Sequence, residues 1–321
     1  MTLLGSTVGD DPRAHALAAE RFADAPWLAW VRLLGVSVLV LAVPVVAGCR
    51  SSTTPGAHGR APSASAAAEL SVGCRAGAAA ALVGVERLVT VDGEERRYLV
   101  DAAEGPADQP RAVLLAFHGF RHSAAGLRAG DGFVAGVARG DYIAVHADGR
   151  DDVRLLDGVG RGWDLAPGDT RDTAFVAALL DALEAERCVD RRRVYATGFS
   201  NGGFFANLLA CTLGGRIAAA APVAGARPLD GCAPPAPVPM LFFHGAADRV
   251  VPLRLTTGAA AWWRRANGCA EDAGDTAAVG CRAAAGCAAD VVVCTGAQGH
   301  TWPADATARI LEFFRAHARS G

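Results

Sequence analysis

The sequence predicts an α/β protein: a mostly parallel central sheet, helices on both faces and an antiparallel hairpin at the N-terminal end. Three observations carry that expectation. Short apolar runs alternate with longer stretches at helical spacing. The runs are continuously apolar rather than alternating, as strands covered on both faces must be. One Asp-Gly pair stands between two β-like segments.

The elements follow in order. "VERLVTVDGEERRYLVDA" reads as the opening hairpin, turning at Asp92-Gly93. "AVLLAFHG", from Ala112, reads as the first buried strand. "YIAVHADG", "RVYATGFS", "IAAAAPVAG", "VPMLFFHG" and "DVVVCTG" follow as further strands. Helical stretches fill the gaps. Thr170–Glu186 has apolar residues at helical spacing and acids near its start, where the helix dipole favours them. "NGGFFANLLACTL", "TTGAAAWWRRANG" and "ADATARILEFFRAHA" complete the pattern, and no internal repeat of fixed period is visible.

With 321 residues, 51% of them hydrophobic, the chain has ample core; a net charge of −2 gives no basic stripe and excludes nucleic acid as an expected partner. The run from Leu33 to Cys49 follows Arg32 and is too short for a comfortable membrane span, the pattern of an export signal. Its end, Val46-Ala47-Gly48-Cys49, resembles the bacterial lipobox, which implies a diacylglycerol on Cys49. A plain secretory signal and an uncleaved anchor are the alternatives. All three place the folded part outside the cytoplasm, secreted or membrane-anchored, and lipidation makes Cys49 the membrane contact. Residues 50–73, rich in Ser, Pro and Ala, cannot build a core and read as a flexible tether. Residues 74–321 read as a single domain.

Eight further cysteines, Cys74, Cys188, Cys211, Cys232, Cys269, Cys281, Cys287 and Cys294, form an even set for which disulfides are expected in an oxidising compartment. Cys281–Cys287 and Cys211–Cys232 are two guesses that spacing invites. No CxxC pair is matched by a His pair, so no metal is expected.

The stretch with the most chemistry is Gly198-Phe199-Ser200-Asn201-Gly202. It matches Gly-x-Ser-x-Gly at a point where a strand becomes a helix. A serine on so tight a turn projects its hydroxyl above the sheet, beside the N–H groups that open the helix. No Lys-Ser/Thr follows, so a phosphate loop fits poorly. A serine needs a base, and the partners expected in this architecture lie later in the chain, acid first and histidine last. Asp248 follows "MLFFHG" and His300 follows "VVVCTG", each just past a strand. Asp230, Asp275, Asp290 and Asp305 follow no apolar strand directly, and Asp172 reads as structural. His118 and His244 precede the final strand and fail as bases on order. The backbone of Asn201 and of Gly119-Phe120 is expected to supply the oxyanion donors, with His118 near the pocket and counted among the substrate-binding candidates.

"HGF", "GFSNGG", "APVAGA", "FFHGAADRVVP" and "GHTWP", in this order, resemble the polyhydroxybutyrate depolymerase and feruloyl esterase group of secreted α/β-hydrolases, carbohydrate-esterase-family-1-like and including the LpqC-type lipoprotein esterases. The resemblance spans the chain from about residue 84. It implies an α/β-hydrolase fold and a cofactor-free serine esterase with Ser200 as nucleophile, Asp248 as acid and His300 as base. It also implies an oxyanion hole near Phe120 and Asn201, and Trp302 in the substrate cleft, with Trp163 a looser correspondence. The implied partner is an ester substrate, a hydroxyalkanoate oligomer or a feruloyl or acetyl polysaccharide. The alternatives are a surface-anchored binding lipoprotein and a serine peptidase. No separate substrate-binding domain is visible, and Glu271–Asp290 has no counterpart that aligns.

Overall fold

The computed structural model describes residues 69–155, 158–166, 170–270 and 280–319. The export run, Cys49, the tether up to Ala68 and Asp275 lie outside the described residues.

In chain order the elements are β1 (Ala78–Ala79), β2 (Leu82–Val91), β3 (Glu94–Ala102), β4 (Gly105–Pro106), β5 (Arg111–Phe117), α1 (Ala124–Gly130), α2 (Val134–Val137), β6 (Tyr142–Ala147), β7 (Arg150–Leu155) and β8 (Gly158–Gly162). Then come α3 (Arg171–Glu186), β9 (Val189–Phe199), α4 (Asn201–Thr212), β10 (Ala219–Val223), β11 (Met240–Gly245), α5 (Leu253–Ala266), β12 (Gly280–Ala283), β13 (Val291–Gly296) and α6 (Ala306–Ala316).

Among the described residues, nine strands form one sheet in the order β12-β13-β11-β10-β9-β5-β6-β3-β2. The block from β13 to β6 is parallel. The hairpin β2–β3 closes one edge and β12 the other, both antiparallel. The hairpin turns at Asp92-Gly93, whose φ values of 52° and 81° are the paired positive φ that a two-residue turn needs between right-twisted strands.

The continuous apolar runs have a direct cause. Val113, Leu115 and Phe117 of β5 face a core shared with Phe175 of α3, Phe205 of α4 and Trp263 of α5. Ala112, Leu114 and Ala116 face the opposite core, with Leu127 of α1, Val137 of α2 and Ile310 and Phe314 of α6. Burying both faces of each central strand contributes roughly 1.5–3 kcal/mol per large side chain. It also fixes which strand ends share an edge. β9, β11 and β13 run parallel, so the segments that follow them emerge together, and Ser200, Asp248 and His300 lie on those segments.

Among the described residues, four disulfides join Cys74–Cys188, Cys211–Cys232, Cys269–Cys287 and Cys281–Cys294. The expected Cys211–Cys232 link is present, and the Cys281–Cys287 expectation is corrected. The reason is register: β12 lies antiparallel on β13 with Cys281 directly opposite Cys294, which leaves Cys287 to meet Cys269 just beyond α5. Four such bonds accord with an extracellular protein.

Candidate active site

Ser200 stands between β9 and α4 at φ 55°, ψ −119°, a backbone conformation that costs a non-glycine residue on the order of 1–3 kcal/mol. Close packing holds it there. A Cβ on Gly198 would strike the carbonyl oxygen of Gly202, and one on Gly202 would strike that of Phe117. The two glycines therefore let α4 start directly against the end of β5. The Ser200 N–H donates to the Val223 carbonyl at the end of β10, 2.9 Å away, which fixes the turn from below.

The structure brings Ser200, His300 and Asp248 together. Ser200 Oγ lies 2.9 Å from His300 Nε2, and His300 Nδ1 lies 2.7 Å from Asp248 Oδ2. The Asp248 carboxylate cannot donate when ionised, so Nδ1 carries the proton and Nε2 is left to accept from the serine hydroxyl. Asp248 Oδ1 accepts the N–H groups of Val250 and Val251, each at 2.9 Å, which orients the carboxylate. The ring of Phe199 lies 4.8 Å from that of His300 and shields its flank.

Order in the chain excluded His244 as the base, and its surroundings show what it does instead. His244 is buried, its Nε2–H donates to the Val251 carbonyl at 2.8 Å and its Nδ1 accepts from Thr256 Oγ1 at 2.8 Å. Burial lowers its pKa, which favours the neutral ring those bonds require. Thus His244 and Thr256 brace the Asp248 loop. No sequence pattern marks Thr256, which is one turn into a helix. Asp290 and Asp305 are engaged elsewhere, with His317 and Arg309.

Asn201 is the first residue of α4, so its N–H has no intrahelical acceptor. Its side chain faces away, with Oδ1 accepting the Trp163 N–H at 2.7 Å and Nδ2 donating to the Trp163 carbonyl at 3.0 Å. Phe120 is half-buried just past β5, and the next residue is pinned by its N–H to the Arg161 carbonyl at 2.7 Å.

Trp163 and His118 do not line a cleft, a correction to the sequence expectation. Both are 0% exposed. Trp163 stacks on Phe205 with ring centroids 4.7 Å apart, and its indole N–H donates to the His118 carbonyl at 2.9 Å. The His118 Nδ1–H donates to the Gly119 carbonyl at 2.8 Å, and Nε2 accepts from the Gly149 N–H at 2.9 Å. Trp163 directly follows the β7–β8 hairpin, which was not anticipated from sequence, and is held against α4 by Asn201 and Phe205. Together these bonds hold the Gly119-Phe120 backbone against the start of α4.

Burial holds His118 at about 4, well below an ordinary histidine. Folding stability should then be full above about pH 6.5. It should fall as the pH drops toward 4, because only the unfolded chain binds the proton in that window. The shift corresponds to about 3 kcal/mol when complete. Chemical denaturation between pH 7 and pH 4, compared with His118→Asn, checks it; an equal slope in the variant would remove His118 as the cause.

Trp302 is half-buried, its ring meeting Phe133 edge-on at 5.8 Å. With Gln298 and Thr301 it lines a cavity of about 630 Å³ beside the loop that carries His300; neither Ser200 nor His300 lines it. Among the described residues, no group of three or more His, Cys, Asp or Glu could hold a metal ion.

Against solved structures, an acetyl xylan esterase from Aspergillus awamori matches at TM-score 0.57 and 17% identity, over 72% of this chain and 99% of that one. Against curated sequences, feruloyl esterase B of Piromyces equi is 31% identical over 49% of this chain and 30% of its own length. Feruloyl esterase C of Emericella nidulans is 35% identical over 30% of this chain and 35% of its own. The chain has the α/β-hydrolase fold and is similar over part of its length to feruloyl esterases. It spans less than two thirds of the length of either curated relative. No protein-family model matches it. In α/β-hydrolase terms, the sharp turn at Ser200 is the element between β9 and α4, and the loops after β11 and β13 carry the other two polar groups.

Proposed function

We propose that this chain is an extracytoplasmic serine carboxylic-ester hydrolase acting on feruloyl or acetyl esters of polysaccharide. The observation that carries the reading is the hydrogen-bonded line from Ser200 through His300 to Asp248, with Ser200 on a strained turn at the start of α4. The names of the two feruloyl esterases and the acetyl xylan esterase favour these acyl groups over hydroxyalkanoate oligomers.

In this reading Ser200 Oγ attacks the ester carbonyl carbon while its proton passes to His300 Nε2. Asp248 keeps the ring oriented and stabilises the imidazolium. The carbonyl oxygen becomes an oxyanion facing the N–H groups of Asn201 and Phe120. As the tetrahedral intermediate collapses, the C–O bond to the alcohol breaks, and the alcohol leaves with the proton from His300. Water then gives a proton to His300 and attacks the acyl carbon. Ser200 leaves with that proton, and the carboxylic acid is released.

The test is a hydrolysis panel with the purified domain from about Cys74: methyl ferulate, acetylated xylan, 3-hydroxybutyrate oligomers and an amorphous polyhydroxybutyrate suspension. Preference for ferulate or acetylxylan is expected, and preference for the polyester would overturn the substrate reading. A lipid on Cys49 remains part of the proposal. An unlabelled protein from cells fed a labelled lipid precursor would remove it.

A further inference from the structure

We infer that Thr307, on the first turn of α6, is a positioning residue for His300, acting through Trp302. The inference rests on the reading of Ser200, His300 and Asp248 given above.

His300 is held through its ring by Asp248 on one side. The loop that carries it must be held separately, because a base displaced by about 1 Å forfeits on the order of a hundredfold in rate. The hold is two residues further on. The Trp302 indole N–H donates to Thr307 Oγ1 at 3.0 Å, and the Thr307 hydroxyl donates its own hydrogen to the Asp131 carbonyl. One hydroxyl thus accepts and donates at once, using its single hydrogen and a lone pair.

Asp131 is itself immobile. It caps the C-terminus of α1, with its N–H on the Leu127 carbonyl at 2.9 Å. Its carboxylate accepts the Phe133 N–H at 3.0 Å and meets His146 Nε2 of β6 at 2.8 Å, with both side chains fully buried. The Tyr142 hydroxyl fixes the Phe133 carbonyl, and the Phe133 ring stands edge-on to Trp302. Trp302 is therefore gripped at its nitrogen by Thr307 and on its ring by Phe133. Both grips lead back to the α1–β6 side of the sheet, away from the loop they restrain. Asp248 and Thr307 approach the His300 loop from different elements, the turn after β11 and α6, so neither contact duplicates the other.

Valine has nearly the shape of threonine and can make neither hydrogen bond; serine can make both. Thr307→Val is expected to lower kcat for a small aryl ester about tenfold with KM little changed, while Thr307→Ser stays near wild type. Trp302→Phe removes the same indole N–H, so adding it to Thr307→Val should cost little more than either change alone. Ser200→Ala runs alongside. Unchanged kcat in Thr307→Val, or an equal loss in Thr307→Ser, overturns the positioning role while an inactive Ser200→Ala leaves the site reading intact. Turnover that survives Ser200→Ala overturns both. Thermal melts guard the comparison: if Thr307→Val unfolds, Trp302→Phe carries the test by the same kcat-against-KM reading, with a loss in kcat alone expected and an unchanged kcat overturning the role.

Discussion

Ser200→Ala is expected to reduce turnover of a small aryl ester by on the order of a millionfold, because the acyl-enzyme can no longer form. The fold should survive, since Ala removes only a hydroxyl from a turn whose geometry is set by Gly198, Gly202 and the Val223 carbonyl. A fluorophosphonate should label the wild type on Ser200 and leave the variant unmodified. His300→Ala should be nearly as damaging and the double variant scarcely worse, the signature of groups that act as a unit. Ser200→Gly should be equally inactive yet more stable by about 1 kcal/mol, because glycine adopts φ 55° without strain. Full activity in Ser200→Ala would end the esterase reading of this site. An unlabelled but folded wild type would favour a binding protein on a hydrolase scaffold.

Trp163→Ala is expected to cost about 3–5 kcal/mol of stability. The indole is 0% exposed, stacked on Phe205 and edge-on to Phe117, so its removal leaves a cavity beside α4. It also strips the donor from the His118 carbonyl, next to the Gly119-Phe120 backbone. A drop in melting temperature on the order of 10 °C should accompany the loss. Trp163→Phe is the milder change: it keeps a six-membered aromatic ring while losing the indole N–H and part of the bicycle, at about 2–3 kcal/mol. If Trp163→Ala kept native stability and raised KM alone, the residue would belong to the substrate cleft after all.

These two residues mark what the sequence made legible and what it did not. Ser200 could be read because a strand, a tight turn and a helix leave three coincident local signals around it. The buried strands were equally plain, since an element covered on both faces keeps an almost continuous apolar run. Trp163 was misread because a single aromatic residue in a glycine-rich stretch has no periodicity to reveal its inward direction. The hairpin β7–β8 was missed for a related reason: "RDDVRL" and "GVGRG" show neither alternation nor a continuous apolar run. The Cys281 partner depends on the register of an edge strand, a property of paired backbones that no spacing rule contains. Thr256 and Thr307 were invisible because their value lies wholly in what the fold brings beside them.

The separation of Ser200 from His300 has a consequence for how the protein comes into being. They touch across 100 residues of chain. On a nascent chain emerging N-terminus first, the serine turn can close against β5 and β10 well before β13 exists. Until β13 docks on the outer side of β11, Ser200 has no base. In the proposed mechanism, hydrolytic competence would thus be acquired in one late step, by long-range pairing of the slow kind. An unfinished or arrested chain would be harmless to esters in the cell that makes it, whatever fraction of its sheet had already formed.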